Sequence, residues 1–537
     1  MPRRKTLDEQ HADLAFPAHG LDVSTGFWRQ PRGTCADALN VRLFEPGTDR
    51  GRGGSRPGLS RYLDARVNGA NPVQELSAFV GVGYSDPGAG VQTNSSGRVV
   101  NLVAVSAGQV FVTSPGATSW TAAVNGTGAA TPLAATGVVR SAANGGKLYF
   151  ADGTNYRYYD PATNRVENWT ASQGSLPIHG ANTPRLVCTW RGRTVLSGIT
   201  TDPHNWFMSK VSDPRDWLYF PTDPSPAQAV SGNNSPLGLI GDVVTALIPY
   251  SDDVLVVGGD HTVYQFSGDP MAGGQISLVS DITGMAWGSP WCKGPDGTLY
   301  FFSNRTGVYR IRPGQLPERI SQPVDNLLAE VDTGLNTIRM FWSERYQGMH
   351  VFVTATAGAA DEPARHFFWE ERTGAWWPDR LGHADFDPLC GCVFDGNEAS
   401  DRVTLIGSWD GYVRAVDPDA ATDDGRKFTS SVTIGPLLTA NLDDLLLKHV
   451  QGVLGADSGA VDYEVYVGAT PEQALASEPV ISGTWSYTAA NGGRNLTSRV
   501  RRSGHAVYVK LTSTNRWTLE AIRVAVAGKG SVRRRGW

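Results

Sequence analysis

The residues best suited to chemistry lie between Trp369 and Asp379, where the carboxylates Glu370, Glu371 and Asp379 are interleaved with Trp369, Trp376 and Trp377. Two carboxylates beside an aromatic platform are what glycoside hydrolysis uses, one as general acid and the other as base or nucleophile. The spacing fits a hairpin better, with Glu371-Arg372-Thr373-Gly374 as its turn and Trp369 and Trp376 as core aromatics. No S-x-D-x-G-x-T-W box of the sialidase kind accompanies these residues. Cys390-Gly391-Cys392 lacks the second pair that a zinc site needs and reads as two strand cysteines. The acidic run from Asp417 to Gly425 puts Thr422 where a calcium loop needs Gly and Phe428 where it needs Glu, so it reads as a solvated linker. The sequence has no G-x-x-x-x-G-K-S/T, no strand-to-helix G-x-G-x-x-G, no G-x-S-x-G and no H-E-x-x-H. The histidines form no recognisable triad. No catalytic, cofactor-binding or metal-ligating residue is assigned, and the chain is expected not to be an enzyme.

The elements that would position any site are β-strands. The 537 residues include 62 Gly and 32 Pro, and only 18% are charged against a typical value of roughly 25%. Apolar heptads are absent, while the 51 aromatic residues argue against disorder. From about residue 74 to 420, short apolar runs alternate with turn signals, and one unit recurs: an aromatic-ending strand, an Asp/Asn/Gly turn, and a second strand carrying Tyr. Its four copies start at Lys147, Asp253, Gly297 and Val403 and continue through Tyr156–Pro161, Thr262–Phe266, Gly307–Ile311 and Tyr412–Pro418. Asp-Gly and Asn-Gly supply the positive φ of a tight hairpin. Hairpins recurring with other strands between them suit the four-stranded blades of a β-propeller, for which six or seven blades are expected. Stacked sandwiches would give similar hairpins without the recurrence. The fold class is therefore all-β: an extended N-terminal arm (1–70), a propeller (71–422), and a C-terminal β-sandwich (423–537) of about six strands with a basic tail. The arm reads as loop-like and suited to lying on other surfaces.

The net charge of −5 conceals an asymmetry. Eleven Lys and Arg against Glu520 alone give the segment from Arg494 onward +10, so the first 493 residues carry −15. This basic segment fits a solvated strand face, a protein-interface patch or a nucleic-acid contact. Five scattered cysteines imply no disulfide framework and fit a reducing cytoplasm. The basic start MPRRKTLDEQ has no apolar stretch after it, and no window of about 18 apolar residues occurs, so neither a signal peptide nor a membrane-spanning segment is expected.

Several segments resemble a family of short-tailed bacteriophage virion proteins that form the tail nozzle or hub. They are Ala38-Leu39-Asn40-Val41-Arg42 followed by Ser55-Arg56-Pro57-Gly58-Leu59-Ser60-Arg61-Tyr62; Trp206 to Trp217; Val263 to Gly268; and Gly530 to Trp537. The resemblance, one of order and texture along most of the chain, implies a structural subunit of the virion tail, assembled in the host cytoplasm. It implies a ring homo-oligomer, a hexamer, below the portal and adaptor proteins, with tail fibres or spikes as further partners. DNA would pass through the lumen during genome ejection without sequence-specific binding. An acidic lumen would let phosphate slide, while the basic segment faces a neighbouring protein. The assembly residues expected on this basis are Trp28, Arg29, Arg42, Arg52, Arg56, Arg533, Arg534, Arg535 and Trp537. The alternative is a glycan-binding or glycan-cleaving tail component, for receptor binding or depolymerisation, centred on Glu370 and Glu371. A cellular adaptor propeller would show a tighter repeat consensus.

Overall fold

The computed structural model describes residues 9–82, 98–126, 133–305, 307–312, 314–356, 365–396, 402–438 and 444–528. Among these, the long middle of the chain forms seven sheets arranged as propeller blades, antiparallel except where Val124–Asn125 joins Arg165–Asn168 in parallel, so the fold is an all-β propeller with a β-sandwich. The innermost strands are, in order, Val73–Val82, Arg140–Asn144, Leu186–Trp190, Val244–Pro249, Trp291–Lys293, Asn336–Ser343 and Pro388–Phe394. Contacts between the seventh and first of these close the ring. All four sequence hairpins are the second and third strands of their blades.

Blade strands are apolar on both faces because each blade is packed between two others. In Leu299–Ser303, alternate side chains point to opposite sides. Leu299 and Phe301 pack with Ala246, Ile248 and Val256 of the fourth blade. Tyr300 and Phe302 join a second core with Trp342 of the sixth. In Lys147–Ala151, Leu148 and Phe150 meet the first blade, and Tyr149 and Ala151 meet the third.

The seventh blade is completed from the far end of the chain. Its outermost strand is Gly58–Arg61, paired antiparallel to Val413–Asp417. Gly58 is required there, because a Cβ would lie 2.3 Å from the Thr422 carbonyl oxygen. The sandwich borrows strands in the same way. One sheet runs Glu9–Leu14, Leu519–Gly528, Leu445–Leu454, then the short edge strands Arg494–Leu496 and Arg502–Gly504. The other runs Ala38–Leu39, Ser430–Leu438, Ala506–Ser513, Val461–Gly468 and Ile481–Trp485.

The N-terminal segment is thus extended, but its described strands are spent within its own chain rather than on a neighbour. The physical reason is edge pairing: Leu519–Gly528, Ser430–Leu438 and Val413–Asp417 would each leave a row of unpaired backbone groups without it. Between those strands the segment crosses the sixth blade, where Leu21 N–H donates to the Trp376 carbonyl and Asn40 N–H to that of Pro378. Strand Ala375–Asp379 is therefore covered on both faces, with Trp376 and Trp377 fully buried and Phe16 5.8 Å from the Trp377 ring. One apolar core runs from the fifth and sixth blades through this segment into the sandwich.

Candidate assembly interface

Three of the expected assembly residues are internal clamps. Arg42 is buried and grips Asp379 with both Nη atoms, at 2.8 and 2.6 Å. Burial opposes ionisation of Asp379, but the charges of Arg42 and Arg56 outweigh it and hold the carboxyl below its ordinary range. Arg56 donates to Asp423 at 2.9 and 2.6 Å, to Asn40 Oδ1 at 2.9 Å and to the Arg380 carbonyl at 3.1 Å, and lies 3.9 Å above the Phe428 ring. Arg52 bridges Glu45 and Glu520, joining the hairpin of Val41–Phe44 and Gly51–Ser55 to the sandwich. Assigning these arginines to a contact with another copy is therefore corrected: their guanidinium groups are already bound to carboxylates of the same chain. Trp28 and Arg29 are exposed, on the single turn Phe27–Arg29. Arg533, Arg534, Arg535 and Trp537 lie outside the described residues.

The acidic run needs a second correction, because two of its carboxylates are not solvated. Asp423 has no exposed surface and binds Arg56, while Asp424 pairs with the buried Arg414 at 2.9 Å and with Arg61 at 2.9 Å. Propeller closure brings the 58–61 strand against 413–417 and so sets these groups together, which sequence spacing does not reveal.

The carboxylates weighed for glycan chemistry are likewise held. Glu370 is buried and takes two hydrogen bonds from Arg372 at 2.6 and 3.2 Å, and Asp379 belongs to Arg42. Burial pushes Glu370 upward despite Arg372. The tryptophans Trp369, Trp376 and Trp377 are core residues, as the hairpin reading expects. Cys390 and Cys392 sit on strand Pro388–Phe394, and burial raises both thiols. Among the described residues no group of three His, Cys, Asp or Glu is placed to hold a metal ion, and no helix is long and apolar enough to cross a membrane.

Among the described residues, one open edge of the sandwich is formed by Arg494–Leu496 and Arg502–Gly504. Residues 494–504 run antiparallel along Leu445–Leu454, pairing at Val453–Arg494 and Leu447–Arg502 and bulging between, with Thr497 N–H on the Val450 carbonyl and Val500 N–H on that of Lys448. Arg494, Arg499, Arg501 and Arg502 all project into solvent along this edge, over about 20 Å at the usual strand rise. None of the four makes an ion pair among the described residues. Elsewhere in the basic segment the N-terminal strands supply counter-charges: Asp37 lies 3.5 Å from Lys510 and Asp13 2.7 Å from Arg523. At the Arg502 end of the edge, the 46%-exposed Trp28 rests 5.2 Å from His505, and at the Arg494 end Leu496 is 62% exposed. Exposed aromatic and arginine side chains have the composition of a protein-binding patch. Sequence reasoning found the basic segment but not that its cations divide into neutralised and free sets.

No family model and no curated protein matches this chain. Among solved structures it is similar to virginiamycin B lyase from Staphylococcus aureus, at 10% identity and a TM-score of 0.40 over 67% of this chain and 98% of the other. It is also similar to an extracellular domain from B. thetaiotaomicron, at 14% identity and a TM-score of 0.40 over 85% of this chain and 57% of the other.

Proposed function

We propose that this protein is a structural subunit of a short-tailed phage tail, a nozzle-type component that assembles head to tail into a ring, with DNA passing between the copies. The observation that carries the assembly part is the sandwich edge, where four arginines without ion pairs stand on an open strand of a chain whose buried Arg42, Arg56 and Arg414 are clamped to carboxylates. The occupant that suits it is a second copy, since the remainder of the chain carries the compensating acid excess. A basic patch meeting a different, acidic patch is a heterologous contact, the kind that closes into rings. The order of segments shared with nozzle proteins supports the tail assignment and a sixfold ring. The conduit of such a ring lies between subunits, because the buried side chains of Glu75, Arg140 and Arg339 meet where innermost strands of the propeller converge.

Sedimentation of the purified chain at low and high salt tests this reading. Rings that dissociate as salt rises, and that a triple Arg499→Glu, Arg501→Glu, Arg502→Glu variant cannot form, are expected. A variant that still forms rings of the same size would overturn the role of the edge.

A further inference from the structure

At the axis of the propeller, three innermost strands bring together two cations and one anion. Glu75 of the first blade accepts from Arg339 Nη2 of the sixth at 3.0 Å on Oε2, and Arg140 Nη1 of the second blade stands 3.7 Å from the same oxygen. All three side chains are buried, with residue exposures of 9%, 4% and 5% for Glu75, Arg339 and Arg140. The Ser141 hydroxyl donates to Glu75 Oε1 at 3.4 Å, so the carboxylate is committed to groups already present. The neighbouring thiols of Cys390 and Cys392 are held neutral by burial, which raises both. One guanidinium charge is thus left without an anion in a place where burying it uncompensated is expensive.

The orphaned capacity is a donor. Arg140 gives Nη1 to the Val139 carbonyl at 3.3 Å, but its buried Nε has no partner. Burial, and then the charge of Arg339, push the Arg140 guanidinium down to about 9. Gly288, at φ +101°, leaves the room this side chain occupies, since a Cβ there would fall 2.1 Å from Arg140 Nη2. Beside the cluster lies a cavity of about 400 Å³ whose wall includes Glu75, Arg339, Trp291, Lys293 and Trp342. Lys293 brings a further cation with carbonyl partners only, Pro249 and Tyr250 at 3.2 Å each. Arg402, also in the wall, is neutralised by Glu344 and Asp395.

We infer that the propeller axis is a binding site for a small oxyanion, an inorganic phosphate or a short carboxylate, held by Arg339 and Lys293 in the wall of this cavity and favoured by the uncompensated charge of Arg140, which stands beside Glu75 outside that wall. The ligand supplies the negative charge that Glu75 alone cannot.

Calorimetry with sodium phosphate and sodium succinate, each against sodium chloride at equal ionic strength, distinguishes the two sources. Saturable binding of one of them to the wild-type chain is expected. Arg140→Met should weaken it several-fold, through loss of the uncompensated charge beside the cavity. Glu75→Gln should tighten it by a similar factor, because it leaves both guanidiniums unopposed. Crystals of the unaltered chain soaked in sodium bromide need no variant, and an anomalous peak beside Arg339 is expected. No peak and no saturable binding by the wild type would overturn the inference, as would a Glu75→Gln variant that folds and binds more weakly.

Discussion

Replacing Arg56 with Met withdraws the cation from Asp423, a carboxylate with no exposed surface, at the point where the N-terminal segment passes from the sandwich to the seventh blade. Removing one partner of a buried ion pair costs about 3–5 kcal/mol, because the other charge stays behind unpaired. Asp423 Oδ2 keeps one further donor, Gly382 N–H at 2.9 Å, which offsets only part of that loss. Asp423→Asn should cost a comparable amount, leaving Arg56 with no anion nearer than Asp379, 3.9 Å away and already gripped by Arg42. The double variant Arg56→Met, Asp423→Asn retains the Gly382 contact through the amide oxygen and lacks both charges, so it should be less destabilised than the two single losses added, by about 2 kcal/mol or more. Urea unfolding followed by tryptophan fluorescence reads the stabilities. Hydrogen exchange at 58–61 and 413–417 should show that the seventh blade opens first in Arg56→Met. Single variants within about 1 kcal/mol of wild type, or losses that simply add, would refute the reasoning that this pair clamps the propeller shut.

Deleting residues 1–61 removes one strand from each sandwich sheet and the outermost strand of the seventh blade; aggregation is expected on refolding, read by light scattering, and a soluble deletion variant with unchanged unfolding would contradict it. His350, buried between Phe352 and Phe368, is pushed down to about 3 by burial and by the charge of Arg42. The unfolded chain therefore binds a proton that the folded chain refuses between pH 6.5 and about 3, and stability should fall with pH across that window by up to about 1.4 kcal/mol per unit. His350→Phe should flatten this part of the stability profile, as measured by urea midpoints from pH 7 to 4. Of the five cysteines, Cys35, Cys188, Cys292 and Cys390 are buried, with burial raising their thiols; a thiol reagent should modify them only after denaturant is added, and rapid labelling of all five in the native chain would contradict the packing.

Hairpins were legible in the sequence because their turns and their strands agree: Asp152-Gly153, Ser303-Asn304 and Asp410-Gly411 mark reversals after runs such as Leu299–Ser303 that are apolar on both faces. The blade number was not, since innermost strands such as Trp291–Lys293 are three residues long and the seventh blade completes itself from residues 58–61. Strand Gly51–Ser55, reading GRGGS, carries no apolar pattern at all and pairs because its partner hairpin strand and Thr518 lie beside it. In the sandwich, Leu445–Leu454 and Ala506–Ser513 were readable from alternation, whereas Ile481–Trp485 and Glu9–Leu14 were not. The site residues followed the same division. Four arginines close together in sequence announced the basic edge, but Arg42 and Arg56 look identical to interface arginines until their partners arrive from 337 and 367 residues away. The axis cluster gave no signal, because Glu75 and Arg339 are 264 residues apart.

Electron cryomicroscopy of the purified full chain at low salt tests the central claim most directly. The account predicts closed rings, sixfold, with an opening between subunits and the Arg494–Arg502 edge seated against an acidic surface of the next copy. Particles that remain single at every concentration, or rings whose lumen is lined by those arginines, would contradict it.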